Sequence, residues 1–72
     1  MRYWIVNVNI PNYGYSFAVC SDICSTESDV IDACLELDYF DEVSDADYAT
    51  IEEITNDAYE LNHWQNDMLS LD

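Results

Sequence analysis

Residues 3–10 and 15–20 carry an apolar side chain at every second position, and this pattern constrains the fold more than any other in the chain. Alternation with a period of two is typical of a β-strand that buries one face. Between the two runs, residues 11–14 contain Pro, Asn and Gly, which supply the backbone conformations of a tight connection. The sequence therefore predicts a β-hairpin over 3–20. Its buried face comprises Trp4, Val6, Val8 and Ile10 in the first run and Tyr15, Phe17 and Val19 in the second.

A helix is predicted over about 27–39. Thr26 is a suitable N-cap residue, and Asp29 takes the third helical position, where a capping box usually has Glu. Asp29, Asp32 and Glu36 follow one another at i, i+3 and i+7 on one side of this helix. We expect the opposite, apolar side to cover the hairpin, so that these carboxylates face solvent. The apolar side comprises Val30, Ile31, Cys34, Leu35 and Leu37.

Segment 45–54 supports two interpretations. Ile51 and Ile54 share a helical face with apolar residues further along, which favours one long helix over 45–63. Alternatively, residues 48–51 form a third strand, and Thr55 caps a short last helix that reaches about residue 63. A two-stranded ribbon alone is marginal, so a third strand is preferred. The expected fold is α+β, with the N-terminal hairpin in a small antiparallel sheet that one or two acidic helices cover. The expected order is ββαβα, with ββαα as the alternative.

The length of 72 residues allows one small domain with a thin core. Half of the residues are apolar or aromatic, which is more than a disordered chain contains. Three cysteines are an odd count that does not indicate a disulfide framework. The N-terminal residues form neither a signal peptide nor a membrane span, so the expected location is the cytoplasm. Residues 65–72 are expected to form a frayed tail.

The formal net charge is −15, and Arg2 is the only Lys or Arg. Direct binding of nucleic acid is excluded, because it requires cations that neutralise phosphates, and binding to anionic membranes is excluded for the same reason. All the acidic residues except Asp22, Asp67 and Asp72 lie within 27–60. The expected partner is therefore a basic protein surface, in the first place that of a nucleic-acid-binding protein.

Metal sites and catalysis have weak support. Cys20, Cys24, Cys34 and His63 could form a Cys₃His zinc site, but only the first two are close in sequence. Segment 41–47 is rich in calcium-type ligands, yet it lacks the Gly and the twelfth-position Glu of an EF-hand. So short a chain has little volume for a catalytic pocket, and the thiols have no basic neighbour. We expect no metal, no cofactor and no enzymatic activity.

The chain contains more aromatic residues than a thin core requires. Aromatic side chains are enriched at the centres of protein interfaces. Exposed ones would either form a homodimer face or anchor the acidic surface on its target, and the alternative is that they fill the core. The residues concerned are Tyr3, Tyr13, Tyr15, Tyr39, Phe40, Tyr48, Tyr59 and Trp64.

The acidic residues themselves are the main candidate site. Helix residues three or four apart have Cβ atoms about 5–6 Å apart, which approaches the charge spacing of about 3.4 Å along one DNA strand. A surface that served solubility alone would interleave both signs of charge. The predicted partner-binding residues are Asp29, Asp32 and Glu36 in a first helical row, Glu53, Asp57 and Glu60 in a second, and Asp41, Glu42, Asp45 and Asp47 in the connection between them.

In length, near absence of Lys and Arg, and carboxylate rows between Asp29 and Glu60, the chain resembles the DNA-mimic anti-restriction and anti-CRISPR proteins of phages and mobile elements. It resembles them in type, without a shared motif. The resemblance implies stoichiometric inhibition of a host defence or nucleic-acid enzyme by occupation of a basic groove. The second choice is a regulatory or structural interaction module of the host without mimicry. The third choice is a metal-stabilised domain.

Overall fold

The computed structural model describes residues 1–54 and 67–72, and these residues form a four-stranded mixed sheet with one α-helix and one 3-10 helix. The α+β class is confirmed, and the order of elements agrees broadly with ββαβα. The elements are β1 Arg2–Ile10, β2 Tyr13–Ser21, α1 Glu27–Glu36, the 3-10 helix Val43–Tyr48, β3 Ala49–Ile54 and β4 Met68–Ser70. In space the strands are ordered β3-β1-β2-β4.

The hairpin is confirmed, with a tighter turn than expected. Ile10 pairs with Tyr13, so Pro11 and Asn12 alone form the loop. Asn12 has a φ of 68°, and Pro followed by a residue of positive φ is the combination that a type II turn uses. Gly14, predicted in the turn, lies instead in β2, where a Cβ would come within 3.3 Å of the Val8 carbonyl oxygen.

The core lies between one face of the hairpin and α1. Trp4, Val6 and Val8 are buried along β1, as the alternation predicts, and Val19 is buried beside them on β2. At its other end the face is more open, because Ile10 is only half-buried. The buried cluster is completed by Val30 and Cys34 from α1, Phe40 after it, and Leu71 beside β4.

The predicted capping box is present at the start of α1. The Thr26 side chain accepts a hydrogen bond from the Asp29 backbone N–H, and the Asp29 carboxylate accepts one from the Thr26 N–H. The helix ends earlier than the predicted residue 39. Asp38 has a φ of 62°, and the Tyr39 N–H donates to the Cys34 carbonyl, which closes the helix with a left-handed residue. Leu37, expected on the apolar side, is the C-cap residue and is exposed.

Segment 45–54 does not form the long helix. The 3-10 helix ends at Tyr48, and β3 runs from Ala49 to Ile54, so the strand interpretation is confirmed with a later start and a later end. β3 pairs antiparallel with β1, and this pairing supplies partners for the backbone groups on the side of β1 that faces away from β2. The predicted last helix, which starts after Thr55, lies outside the described residues.

Part of the expected tail is a strand. Met68–Ser70 pair in parallel with β2, so the sheet is mixed and not antiparallel throughout as expected. The Leu71 N–H extends the ladder by donating to the Cys20 carbonyl at 2.9 Å. The Asp72 carboxylate accepts hydrogen bonds from the Ser21 hydroxyl and the Asp22 N–H. The prediction of a frayed end is therefore wrong for residues 68–72, because backbone pairing with β2 and the hydrogen bonds of the Asp72 carboxylate hold them in place.

The second face of the sheet also contains buried residues. Ala18 lies opposite Ile5 on β1, and Ile54 lies opposite Tyr3, which places all four side chains on the face away from α1. Ala18 and Ile54 are both buried. The expectation that the hairpin buries one face only is therefore incomplete. Within residues 1–54 and 67–72, no helix has the length and apolar character that a membrane span requires.

Candidate functional site

The first helical row, Asp29, Asp32 and Glu36, lies on the solvent side of α1, and all three residues are exposed. Asp29 differs from the others because it also closes the capping box. Hydrogen bonds from the Ser25 backbone N–H and from Thr26 lower the pKa of the Asp29 carboxyl. Asp29 therefore contributes charge to this surface with a fixed orientation, whereas Asp32 and Glu36 project from the middle and the end of the helix.

Glu53, predicted in the second row, lies on β3 and not on a helix. Its two carboxylate oxygens accept hydrogen bonds from the Arg2 guanidinium at 2.8 and 2.9 Å. This contact lowers the pKa of the Glu53 carboxyl and raises that of Arg2. The guanidinium also lies 5.6 Å from the centre of the Trp4 ring. The only Lys or Arg of the chain is therefore already paired with Glu53, and it is not available to the other carboxylates.

Asp57 and Glu60, the other predicted members of the second row, lie outside the described residues. With Glu53 on a strand, the second row cannot begin as a helical repeat at that residue. The first row is therefore the one predicted row whose geometry is described in full.

Asp45 belongs to the interior. Only 5% of its surface is exposed, so it does not act as a surface carboxylate, contrary to its predicted place in the acidic connection. It accepts hydrogen bonds from the Tyr15 hydroxyl at 2.7 Å and from the Glu42 N–H at 3.2 Å. Burial, and next the hydrogen bond to Asp45, raise the pKa of Tyr15 to about 12. Asp45 thus connects β2 to the first turn of the 3-10 helix.

The acidic connection borders a groove at the hairpin end of the molecule, which we call the tyrosine groove. It is open to solvent and has a volume of about 490 Å³. Two half-exposed tyrosines, Tyr13 and Tyr48, contribute to its wall, with 55% and 50% of their surface accessible. The lining residues are Ile10, Tyr13, Asp41, Glu42, Ser44, Asp45 and Tyr48.

Hydrogen bonds fix the carboxylate side of the groove. The Tyr13 hydroxyl donates to Asp41 Oδ2 at 2.9 Å, and this bond raises the pKa of Tyr13. The Asp41 backbone N–H in turn donates to the Tyr15 hydroxyl at 3.1 Å. Tyr13 and Tyr15 have ring centres 5.7 Å apart, so the groove wall continues into the aromatic row on β2. The wall is thus tied to the sheet at several points.

The structure brings together some of the predicted site residues and separates others. Asp41, Glu42 and Asp45 meet at the tyrosine groove. Asp47 is exposed on the 3-10 helix that also contains Asp45. Glu53 lies apart from them on β3 with Arg2.

The aromatic residues are divided between the core and the surface. Phe40 is buried, and Tyr15 and Tyr39 are half-buried, so these three residues belong with the packing. Tyr13 and Tyr48 are the members of the predicted aromatic surplus that line the groove. Tyr59 and Trp64 lie outside the described residues.

The groove contains lining residues that the sequence interpretation did not assign to a site, namely Ile10 and Ser44, and it pairs the two tyrosines with carboxylates. One feature of the sequence indicates part of this groove. Tyr48 directly follows the acidic run 41–47, so a turn in this run brings its ring close to the carboxylates.

The cysteines do not assemble a metal centre in the described part of the chain. Cys34 is completely buried in the core, and burial raises the pKa of its thiol to about 11. Burial also raises the pKa of Cys20. Residues 1–54 and 67–72 contain no group of three or more Cys, His, Asp or Glu side chains arranged to hold a metal ion. His63 lies outside those residues.

No known protein family, curated protein or solved structure matches this chain.

Proposed function

We propose that this chain is an acidic protein-binding inhibitor that occupies a basic nucleic-acid-binding groove of a partner protein. The observation that supports it best is the distribution of charge. With a net charge of −15, its only guanidinium is held by Glu53, so the exposed carboxylates of α1 and Asp47 on the 3-10 helix face solvent without a Lys or Arg beside them. A basic groove would supply the cations that the chain itself lacks.

The first helical row is the centre of the proposed interface. Asp32 and Glu36 are exposed on a helix whose opposite side is anchored in the core by Val30 and Cys34. Residues at this spacing hold their charges at intervals of about 5–6 Å, so a groove built for phosphates can contact them in succession. Because the helix is fixed by its cap and its packing, little conformational entropy is lost on binding.

The acidic surface also predicts how binding begins. Complementary charge accelerates encounter, and such steering weakens as salt screens the field over a Debye length of about 8–10 Å at physiological ionic strength. An inhibitor of this kind needs no chemistry of its own. It competes with nucleic acid because both ligands use the same cations of the partner.

The proposal is tested by charge reversal with a matched control. In the test variant, Asp32→Lys and Glu36→Lys reverse two charges of the helical row. In the control, Glu52→Lys and Asp67→Lys make the same change in net charge at exposed positions on other elements. The immobilised chains are incubated with a nuclease-treated lysate of the source organism, and bound proteins are eluted with duplex DNA.

We expect wild type and control to capture a nucleic-acid-binding protein that DNA releases, and the helical-row variant to lose it. The purified partner must then lose DNA binding when wild-type chain is added in equimolar amount. Equal capture by the helical-row variant would contradict the proposal. So would a partner that does not bind nucleic acid, a result that would favour a plain interaction module.

A further inference from the structure

The tyrosine groove combines two kinds of lining. Ile10 and the rings of Tyr13 and Tyr48 supply apolar and aromatic surface, and Asp41 and Glu42 supply carboxylates. Its volume of about 490 Å³ lies within the range of about 300–1,000 Å³ that is usual for ligand pockets. A ligand that fits such a lining needs a positive charge and a flat or apolar body.

We propose that the tyrosine groove binds one arginine side chain of the partner protein; this inference rests on the proposed function and names a contact within that interface. The guanidinium is planar, stacks on aromatic rings and donates paired hydrogen bonds to carboxylates, so it matches both kinds of lining. Lysine carries a compact, strongly hydrated charge and matches only the carboxylates.

The chain itself shows this mode of recognition at another place. Arg2 lies 5.6 Å from the centre of the Trp4 ring, and both of its hydrogen bonds to Glu53 are shorter than 3 Å. The groove contains the same two kinds of chemical group, an aromatic ring and a carboxylate. There the chain has no Lys or Arg of its own to supply, because its only one is Arg2.

The groove is also organised before a ligand arrives. Asp41 receives its hydrogen bond from Tyr13 on one carboxylate oxygen, Oδ2, and Oδ1 accepts none from the described residues. Asp45, which is 5% exposed, fixes the adjoining turn through Tyr15 and the Glu42 N–H. A site that is fixed before binding loses little entropy when it captures a side chain.

A metal ion fits this lining less well. Calcium takes six to eight oxygen ligands at 2.3–2.6 Å, and the described residues contain no cluster arranged to provide them. Rings and an isoleucine would contribute nothing to such an ion. Charge complementarity together with aromatic surface therefore favours the guanidinium over a bare cation.

The test is an NMR titration of the full ¹⁵N-labelled chain with the capped tripeptides Gly-Arg-Gly and Gly-Lys-Gly at physiological ionic strength. The two variants are Asp41→Asn, whose amide oxygen can still accept from Tyr13, and Tyr48→Leu, which keeps apolar bulk without a ring. Asp67→Asn is the control, because it removes one exposed charge outside the groove lining and outside the helical row. The dispersion of each spectrum shows whether the variant is folded.

We expect the arginine peptide to shift the amide signals of the groove lining and to bind more tightly than the lysine peptide. Each groove variant should raise the dissociation constant by about fivefold, the scale of one lost cation–π contact or ion pair, and the control should change it by less than about twofold. Equal binding of both peptides, or shifts spread evenly along α1, would overturn the inference. The inference would also be overturned if millimolar calcium shifted the same amide signals by itself and displaced the arginine peptide.

The two proposals fail separately. If the peptides do not bind in the groove but DNA still releases a captured partner, the arginine site is wrong and the inhibitor function stands. If the arginine peptide binds in the groove but no captured partner is released by DNA, the site stands and nucleic-acid competition is wrong.

Discussion

The hydroxyl of Tyr15 on β2 donates a 2.7 Å hydrogen bond to the carboxylate of Asp45 in the 3-10 helix. This bond joins an inner strand of the sheet, near the hairpin turn, to segment 41–47. It also explains how an aspartate with 5% exposure is tolerated, since buried carboxylates require hydrogen-bond donors. The acidic connection is consequently part of the folded core at Asp45 and part of the surface at Asp47.

The Asp45 carboxylate should be important for stability. Asp45→Ala leaves the Tyr15 hydroxyl and the Glu42 N–H without this acceptor, and we expect the free energy of unfolding to fall by about 1–3 kcal/mol. Urea denaturation followed by circular dichroism measures the loss. Asp47→Ala, two residues further at an exposed position, is the matched control and should change stability by less than about 0.5 kcal/mol. Equal effects at both positions would show that the buried hydrogen bonds contribute nothing special.

Thr26 should stabilise α1 through its cap. Thr26→Ala removes the acceptor of the Asp29 N–H, and we expect a loss of about 1 kcal/mol. Thermal denaturation provides the measurement. Ser28→Ala, at an exposed position within the first turn, should leave stability nearly unchanged or raise it slightly, because Ala is the better helix former. A Thr26 variant as stable as the Ser28 variant would mean that the cap is not used in solution.

Asp29 should contribute a pH-dependent part of the stability. Its pKa is lowered in the folded chain, so its contribution is present above the pKa of the unfolded state and is lost as the pH falls through the folded value. Other carboxylates titrate in the same range and relieve self-repulsion, so the comparison is between two chains. The stability difference between wild type and Asp29→Asn should shrink as the pH falls from 7 towards 2. A constant difference would contradict the assigned hydrogen bonds.

Cys34 should be inert in the folded state. Its thiol is buried and its pKa is raised to about 11, whereas the thiolate is the reactive form. At pH 8 a thiol-specific reagent should modify Cys34 only after unfolding, and half-buried Cys24 should react first. Mass mapping of the modified residues provides the readout. Rapid modification of Cys34 in a chain that remains folded would contradict its place in the core.

The net charge should make stability depend on salt. Like charges repel one another in the compact state, and salt screens this repulsion. We expect Tm to rise when ionic strength increases from about 0.01 to 0.15 M sodium chloride. The Glu52→Lys and Asp67→Lys control chain, with less net charge, should show a smaller rise. A Tm that does not change with salt would mean that bound counterions already relieve the repulsion.

The sequence predicted those parts of the fold that depend on local signals. Alternation in 3–10 and 15–20 specifies a hairpin because one face must be buried. Thr26 and Asp29 specify the start of α1 because the capping box lies within four residues. The end of α1 was predicted too late, since Asp38 can adopt a left-handed conformation that is not visible in the apolar pattern.

Other features depend on contacts between distant parts of the chain. Three residues, Met68–Ser70, are too few to show a period, and their pairing with β2 exists only in the folded sheet. The burial of Asp45 requires the Tyr15 hydroxyl, thirty positions earlier. For the same reason the sequence predicted the acidic residues and the aromatic residues of the tyrosine groove separately, and it did not predict the groove that they form together. Its geometry arises where the hairpin end meets the 3-10 helix.

The hairpin at the centre of the sheet contains only one charged side chain, that of Arg2. β1 and β2 precede the other described elements along the chain, and the first acidic residue in the sequence is Asp22, which follows β2. A β-rich, aromatic segment of low charge is prone to aggregate while its strands are still unpaired. The carboxylates of 27–60 belong to the same chain, and their mutual repulsion opposes association between unfolded copies. We therefore expect the acidic residues to limit aggregation of the hairpin sequence during folding, whether or not a partner is present.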